Sequence, residues 1–137
     1  MTATYKKIEG QKDRVMATNR SWIWYAFFSY YSRDTEARSF PDAGGLFVNF
    51  SNKDLDTVSK IIYNVIDTDY DNYTIVYNCS ESWTGLYTTE NLWILGREPT
   101  MSQATLDKAR KIVNEQFPDY DHSEYGVMCK QENCEYE

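Results

Sequence analysis

Apolar and polar residues alternate along most of the chain up to Arg97, in short runs separated by turn-forming clusters. Thr2 to Ile8 (TATYKKI) is the first run. After the charged stretch Gln11 to Arg14, Val15 to Ser32 (VMATNRSWIWYAFFSYYS) is β-branched and aromatic and long enough for two strands. Gly44 to Phe50 (GGLFVNF) follows a Pro-Asp-Ala-Gly-Gly turn signal. Lys60 to Tyr70 (KIIYNVIDTDY), Asn72 to Cys79 (NYTIVYNC) and Glu90 to Arg97 (ENLWILGR) complete the series. Such spacing predicts an all-β sandwich or barrel. Only Ser102 to Phe117 changes period: Leu106, Ala109, Val113 and Phe117 recur at helical spacing, Ser102 suits the N-cap, and Pro118 stops the helix. Its apolar stripe must be covered, so the helix is expected to pack on a sheet face.

The segment TDYDNYTIVYNC, Thr68 to Cys79, joins acidic residues, an asparagine and tyrosines to an alternating run. A metal loop, a sugar-binding aromatic patch and a turn between strands all fit that composition. A calcium loop needs more spaced oxygen ligands and a glycine at its sharp bend, both absent here. Asp69 to Asn72 is therefore read as a hairpin turn, where Asp and Asn satisfy backbone groups that strands leave open.

Composition narrows the function classes. With 137 residues the chain is expected to form one domain, comprising strands over 1–98, the helix over 102–117 and a C-terminal extension over 118–137. Fourteen basic against twenty-one acidic residues give a formal charge of −7, which disfavours nucleic acid and anionic membranes as partners. No apolar run approaches the roughly 20 residues of a membrane span, and MTATYKKIEG has no signal-peptide core. Twelve Tyr, six Phe and four Trp are spread along the chain, as suits a β-protein with one wet face or an aromatic-walled cavity.

Cys79, Cys129 and Cys134 are scattered without a CxxC pair, and sequons occur at Asn19, Asn49, Asn72 and Asn78; together they point to a secreted, disulfide-bonded glycoprotein. Chemistry is poorly provided for. His122 is the single histidine and lies in the extension, and Cys129 with Cys134 makes a weak zinc site, so neither a catalytic residue nor a metal centre is assigned.

The order YNVIDTDYDNYTIVYNC, LWILGREPT, helix, then a C-terminal cysteine resembles the lipocalin family, within it the branch of apolipoprotein D, bilin-binding protein and crustacyanin. Thr68, Asp69, Tyr70 and Tyr73 match the family's T-D-Y-x-x-Y turn and Arg97 the arginine ending the last barrel strand. TATY and GGLFVNF fit the second and fifth strands. The resemblance implies an up-and-down antiparallel β-barrel with the helix packed outside. The Gly-x-Trp segment of the family's first strand has no match here, nor have the expected partners of Cys79 and Cys134. The chain thus reads as lacking that strand, with two open sheet edges and a tendency to form homo-oligomers.

The resemblance also sets the strand parity. Cys79 would face out, Val76 and Asn78 in, and Tyr5, Asn19, Val48, Phe50, Tyr63, Val65, Val76, Trp93 and Leu95 would line a ligand cavity. With the resemblance set aside, ordinary core packing is the favoured reading of these side chains; with it, Tyr5, Tyr63 and Trp93 are read as ligand-lining. Trp22 and Trp24 take the parity opposite to Asn19, as rim or subunit-contact residues. The implied function is extracellular binding and transport of a small hydrophobic molecule: a bilin, carotenoid, retinoid, sterol or fatty acid. No cofactor is required, and a chromophore or lipid would be carried as ligand. The lipocalin that acts as a prostaglandin isomerase uses a thiol inside its barrel, and no cysteine here falls at an inward strand position. Two alternatives stand beside the carrier: recognition of a protein or an amine, which acidic inward residues would favour, and an incomplete barrel without a ligand of its own.

Overall fold

The computed structural model describes residues 2–23, 29–39, 45–48, 61–82, 84–120, 126, 128 and 131. Phe50, Trp24, Asn49, His122, Cys129 and Cys134 lie outside them, and at Asn19, Trp22 and Val48 the backbone alone is described. Seven strands precede one helix: β1 (Thr2–Lys7), β2 (Arg14–Ile23), β3 (Ser29–Ser39), β4 (Gly45–Val48), β5 (Ile61–Thr68), β6 (Tyr73–Glu81), β7 (Thr88–Gly96) and α1 (Gln103–Gln116). The strand order follows the sequence order, with β1 and β7 at its two ends. This is the up-and-down meander expected of alternating segments joined by local turns. Among the described residues no helix is long and apolar enough to cross a membrane.

The chain divides into two compact units, Met1–Asn64 with Glu132–Glu137, and Val65–Gln131. In the first, β1 to β4 and the start of β5 pair antiparallel in sequence order. Its buried positions include Ala17 and Ala37, at 2% and 0% exposure. β3 runs through the charged stretch Arg33 to Ser39, beyond the Ser32 limit that its aromatic half suggested, because β2 supplies pairing partners down to Arg14↔Arg38. Backbone pairing there outweighs side-chain composition.

In the second unit, the antiparallel pair β6 and β7 carries α1 on one face. Alternation along β6 puts Tyr73 and Ile75 on that face, 1% and 0% exposed, against Ala109 and Val113 of the helix, both 0% exposed. Ile66, Leu92, Ile94, Met101, Ile112, Phe117 and Tyr120 complete the cluster. The helix has its expected ends. Ser102 Oγ accepts from Thr105 N–H at 3.2 Å, and Phe117 N–H donates to the Val113 carbonyl at 2.7 Å, after which Pro118 has no N–H to continue the ladder.

The turn between β5 and β6 explains its own sequence. Asp69 Oδ1 accepts from the N–H groups of Asn72 (2.8 Å) and Tyr73 (3.0 Å), and Oδ2 from Asn72 Nδ2 (3.0 Å). These donors, the Asn72 side chain foremost, lower the Asp69 pKa to about 2. Thr68 Oγ1 donates to the Tyr73 carbonyl at 2.8 Å and accepts from Tyr70 N–H at 3.0 Å. Tyr70 takes φ 65°, the left-handed conformation, and its carbonyl accepts from Arg97 Nε at 3.2 Å. Arg97 N–H donates to the Asn72 carbonyl at 3.0 Å, so the end of β7 is tied to the same turn. The Tyr73 hydroxyl donates to Asp67 Oδ2 at 2.5 Å and Lys108 Nζ stands 5.0 Å from the ring centroid, joining the turn to the helix.

Candidate ligand-binding face

The register of β6 and β7 opposes Thr74 to Leu95, Val76 to Trp93, Asn78 to Asn91 and Ser80 to Thr89. Paired residues share a face, and these lie on the side opposite Tyr73 and Ile75, away from α1. Val76 and Asn78 are buried at 4% and 2% exposure, while Asn91, Trp93 and Leu95 are half-buried. Asn91 Nδ2 donates to Asn78 Oδ1 at 3.4 Å. The hairpin therefore presents an apolar stripe of Val76, Trp93 and Leu95 ending in a carboxamide pair. None of the residues on this face can ionise. Val65, on β5, takes the parity opposite to Ile66, which packs in the helix-side cluster.

The helix-side face differs in chemistry as it approaches the β6–β7 turn. Tyr77 stacks on Phe117 with centroids 4.6 Å apart. Desolvation, then hydrogen bonds with Cys79 and Glu90 and their charges, push the Tyr77 phenol up to about 12. Cys79 is exposed and carries a free thiol. A broad open groove of about 720 Å³ follows β7, bordered by Tyr77, Glu90, Asn91, Leu92, Trp93, Phe117 and Tyr120 among others. Most of its wall comes from the helix side; it shares Asn91 and Trp93 with the helix-distal face but does not take in Val76, Asn78 or Leu95.

Within the first unit, pairing places Tyr5, Asn19, Val48 and Tyr63 at register positions of one common face. Tyr5 opposes Ala17, two residues from Asn19, while Val48 opposes both Ala37 and Ile61, the latter two residues from Tyr63. Although β1 and β5 stand four places apart in the strand order, the Tyr5 phenol acts on Tyr63. Burial foremost, then the Tyr5 hydroxyl, push the Tyr63 pKa up to about 12. Desolvation raises Tyr5 as well, even with 42% of its surface exposed. Both phenols are neutral at physiological pH and present polar groups without charge.

The sequence matches the lipocalin / cytosolic fatty-acid binding protein family over residues 35–125, well over half of its length. The chain is a lipocalin. This lipocalin is 36% identical over 73 residues to apolipoprotein D of Cavia porcellus, an alignment covering 53% of the chain and 36% of the relative. Apolipoprotein D of Mus musculus is 35% identical over 51 residues, covering 37% of the chain and 26% of the relative. Lobster apocrustacyanin A1 superposes with a TM-score of 0.66 at 16% identity, over 88% of the chain and 61% of that protein; apocrustacyanin C1 gives the same values. The chain thus spans about a third or less of these curated relatives, and the solved neighbours establish the shared fold.

Sequence reasoning did not single out Asn91 or the β7 groove. Asn91 carried a signal, since it lies two residues before Trp93 on the same strand and so shares its face. The groove carried none, because it forms where the residues after α1 meet a strand distant in sequence. One sequon is also affected: Asn78 is 2% exposed on the inward-assigned side of β6, a position closed to a glycan in the folded chain.

Proposed function

We propose that this lipocalin, as one domain over residues 1–137, binds and carries a small hydrophobic molecule outside the cell. The ligand would be of the bilin, carotenoid, retinoid, sterol or fatty-acid type. The observation that carries the reading is the helix-distal face of β6 and β7. Its apolar stripe, Val76, Trp93 and Leu95, is uncharged and backed by strands whose opposite face is sealed by α1. Such a face offers dispersion contact and a few polar groups, the chemistry of a pocket for an apolar ligand. Tyr5, Asn19, Val48, Phe50, Tyr63 and Val65 are the proposed remainder of the lining. Amine recognition would want carboxylates on the same face, and the β6–β7 hairpin provides none there. The role is carriage and not catalysis, since Cys79 lies on the helix side, away from the stripe. A second copy is the proposed protein partner, through the backbone edges of β1 or β7 at the ends of the strand order.

The test is native mass spectrometry of the protein purified from its source, alongside its absorption spectrum. A small apolar molecule retained in the native ion and released on denaturation is expected, with visible absorbance if it is a pigment. A bare native mass, with nothing recovered by organic extraction and no uptake of added retinol, would contradict the proposal.

A further inference from the structure

Asn78 is the buried polar side chain of the described residues, and its place is chemically specific. It follows Val76 on the helix-distal face of β6, opposes Asn91 across the ladder, and its Oδ1 accepts from Asn91 Nδ2 at 3.4 Å. Its register neighbours on that face are Val76 with Trp93 on one side, beyond which come Thr74 and Leu95, and Ser80 with Thr89 on the other. Every charged residue of the hairpin, namely Glu81 and Glu90, lies on the other face. Resting on the carrier reading above, we propose that Asn78 and Asn91 are the polar anchor of the binding face. They select an uncharged ligand with a hydroxyl or carbonyl group over an ionised carboxylate on the same apolar skeleton.

The argument is one of solvation. A ligand that lays its hydrocarbon along Val76, Trp93 and Leu95 brings its polar end to the carboxamides. A hydroxyl or carbonyl loses water there but exchanges it for amide partners, which both donate and accept. An ionised carboxylate loses much more hydration and needs a cation or several convergent donors in return. The hairpin face has no Lys, Arg or His to supply that charge. In the first unit Tyr5 and Tyr63 are neutral, while Arg33 takes the register position opposite Asn19, so the selection is assigned to the hairpin end at Asn78 and Asn91 alone.

Retinol and retinoic acid at pH 8 make the test, since they share one skeleton and differ in the charge of the end group. Each is titrated into the full chain while intrinsic tryptophan fluorescence is followed, and into Asn91→Leu and Asn78→Leu/Asn91→Leu. Asn91 is only half-buried, so the single variant remains informative if the double variant fails to fold, which far-UV circular dichroism reports. The expected result is retinol binding at least tenfold tighter than retinoate, with that ratio collapsing toward one in Asn91→Leu. A purely structural role for the pair would lower both affinities together and leave the ratio unchanged, which overturns the proposal. Equal affinity of the unsubstituted chain for both probes overturns the selection while leaving the carrier reading intact. Binding of neither probe removes both.

Discussion

The two ends of the β6–β7 hairpin are built on opposite plans. At the end near Tyr73, the turn of Asp69 to Asn72 is bonded outward: to Arg97 at the end of β7, through Tyr73 to Asp67, and through its ring to Lys108 of α1. At the other end, the described residues of the loop, Ser82 and Thr84 to Tyr87, bond to one another. Ser82 N–H donates to the Tyr87 carbonyl at 2.9 Å, Gly85 N–H to the Ser82 carbonyl at 2.9 Å, and Gly85 adopts φ 69°. Leu86 and Tyr87 stand 84% and 66% exposed there, whereas Tyr73 and Ile75 are buried. Short-range bonds fix a loop's shape without anchoring it to a core, so local opening costs least at this end. The end near Tyr73 is the anchored base of the hairpin.

Substitutions at the two ends should therefore differ in scale. Ile75→Ala removes a fully buried side chain from the helix-side cluster and is expected to cost about 2 to 5 kcal/mol in urea unfolding. A loss below about 1 kcal/mol would show that the cluster does not anchor the hairpin. Next comes Asp69→Asn, read through pH. The folded pKa of about 2 lies below the ordinary 3.8, so the contribution of Asp69 is fully present above the latter and disappears as pH falls through the former. The stability gap between the original chain and the variant should narrow from pH 4 downward and close near pH 2; a gap constant with pH contradicts the clamp. Tyr73→Phe deletes the hydroxyl bonded to Asp67 and should cost roughly 0.5 to 1.5 kcal/mol. Leu86→Ala, at the exposed end, should stay within about 0.5 kcal/mol of the unsubstituted chain, and a larger loss would mean the loop is anchored after all.

How far the sequence foretold this depends on the range of the interactions involved. The α1 boundaries and the turn at Asp69 were legible because both are set by local chemistry, a serine cap before an apolar period and a carboxylate facing its own following N–H groups. The charged half of β3, Arg33 to Ser39, was not, since its strand conformation comes from pairing with β2 and not from its residues. On the candidate face, alternation placed Val76 with Asn78 and Trp93 with Leu95. It could not say that Asn78 meets Asn91, which needs the register between strands. The effect of Tyr5 on Tyr63 is less local still, involving strands at opposite ends of the first unit.

The most direct measurement is to map a bound apolar probe residue by residue. Retinol added to isotope-labelled chain should shift the amide and side-chain NMR signals of Val76, Asn78, Asn91, Trp93 and Leu95, while Ile75, Ala109 and Val113 on the helix side stay in place. Shifts at Leu92, Phe117 and Tyr120 with Val76, Asn78 and Leu95 unmoved would put the ligand in the groove along β7, which shares Asn91 and Trp93, and contradict the assignment of the helix-distal face as the binding surface.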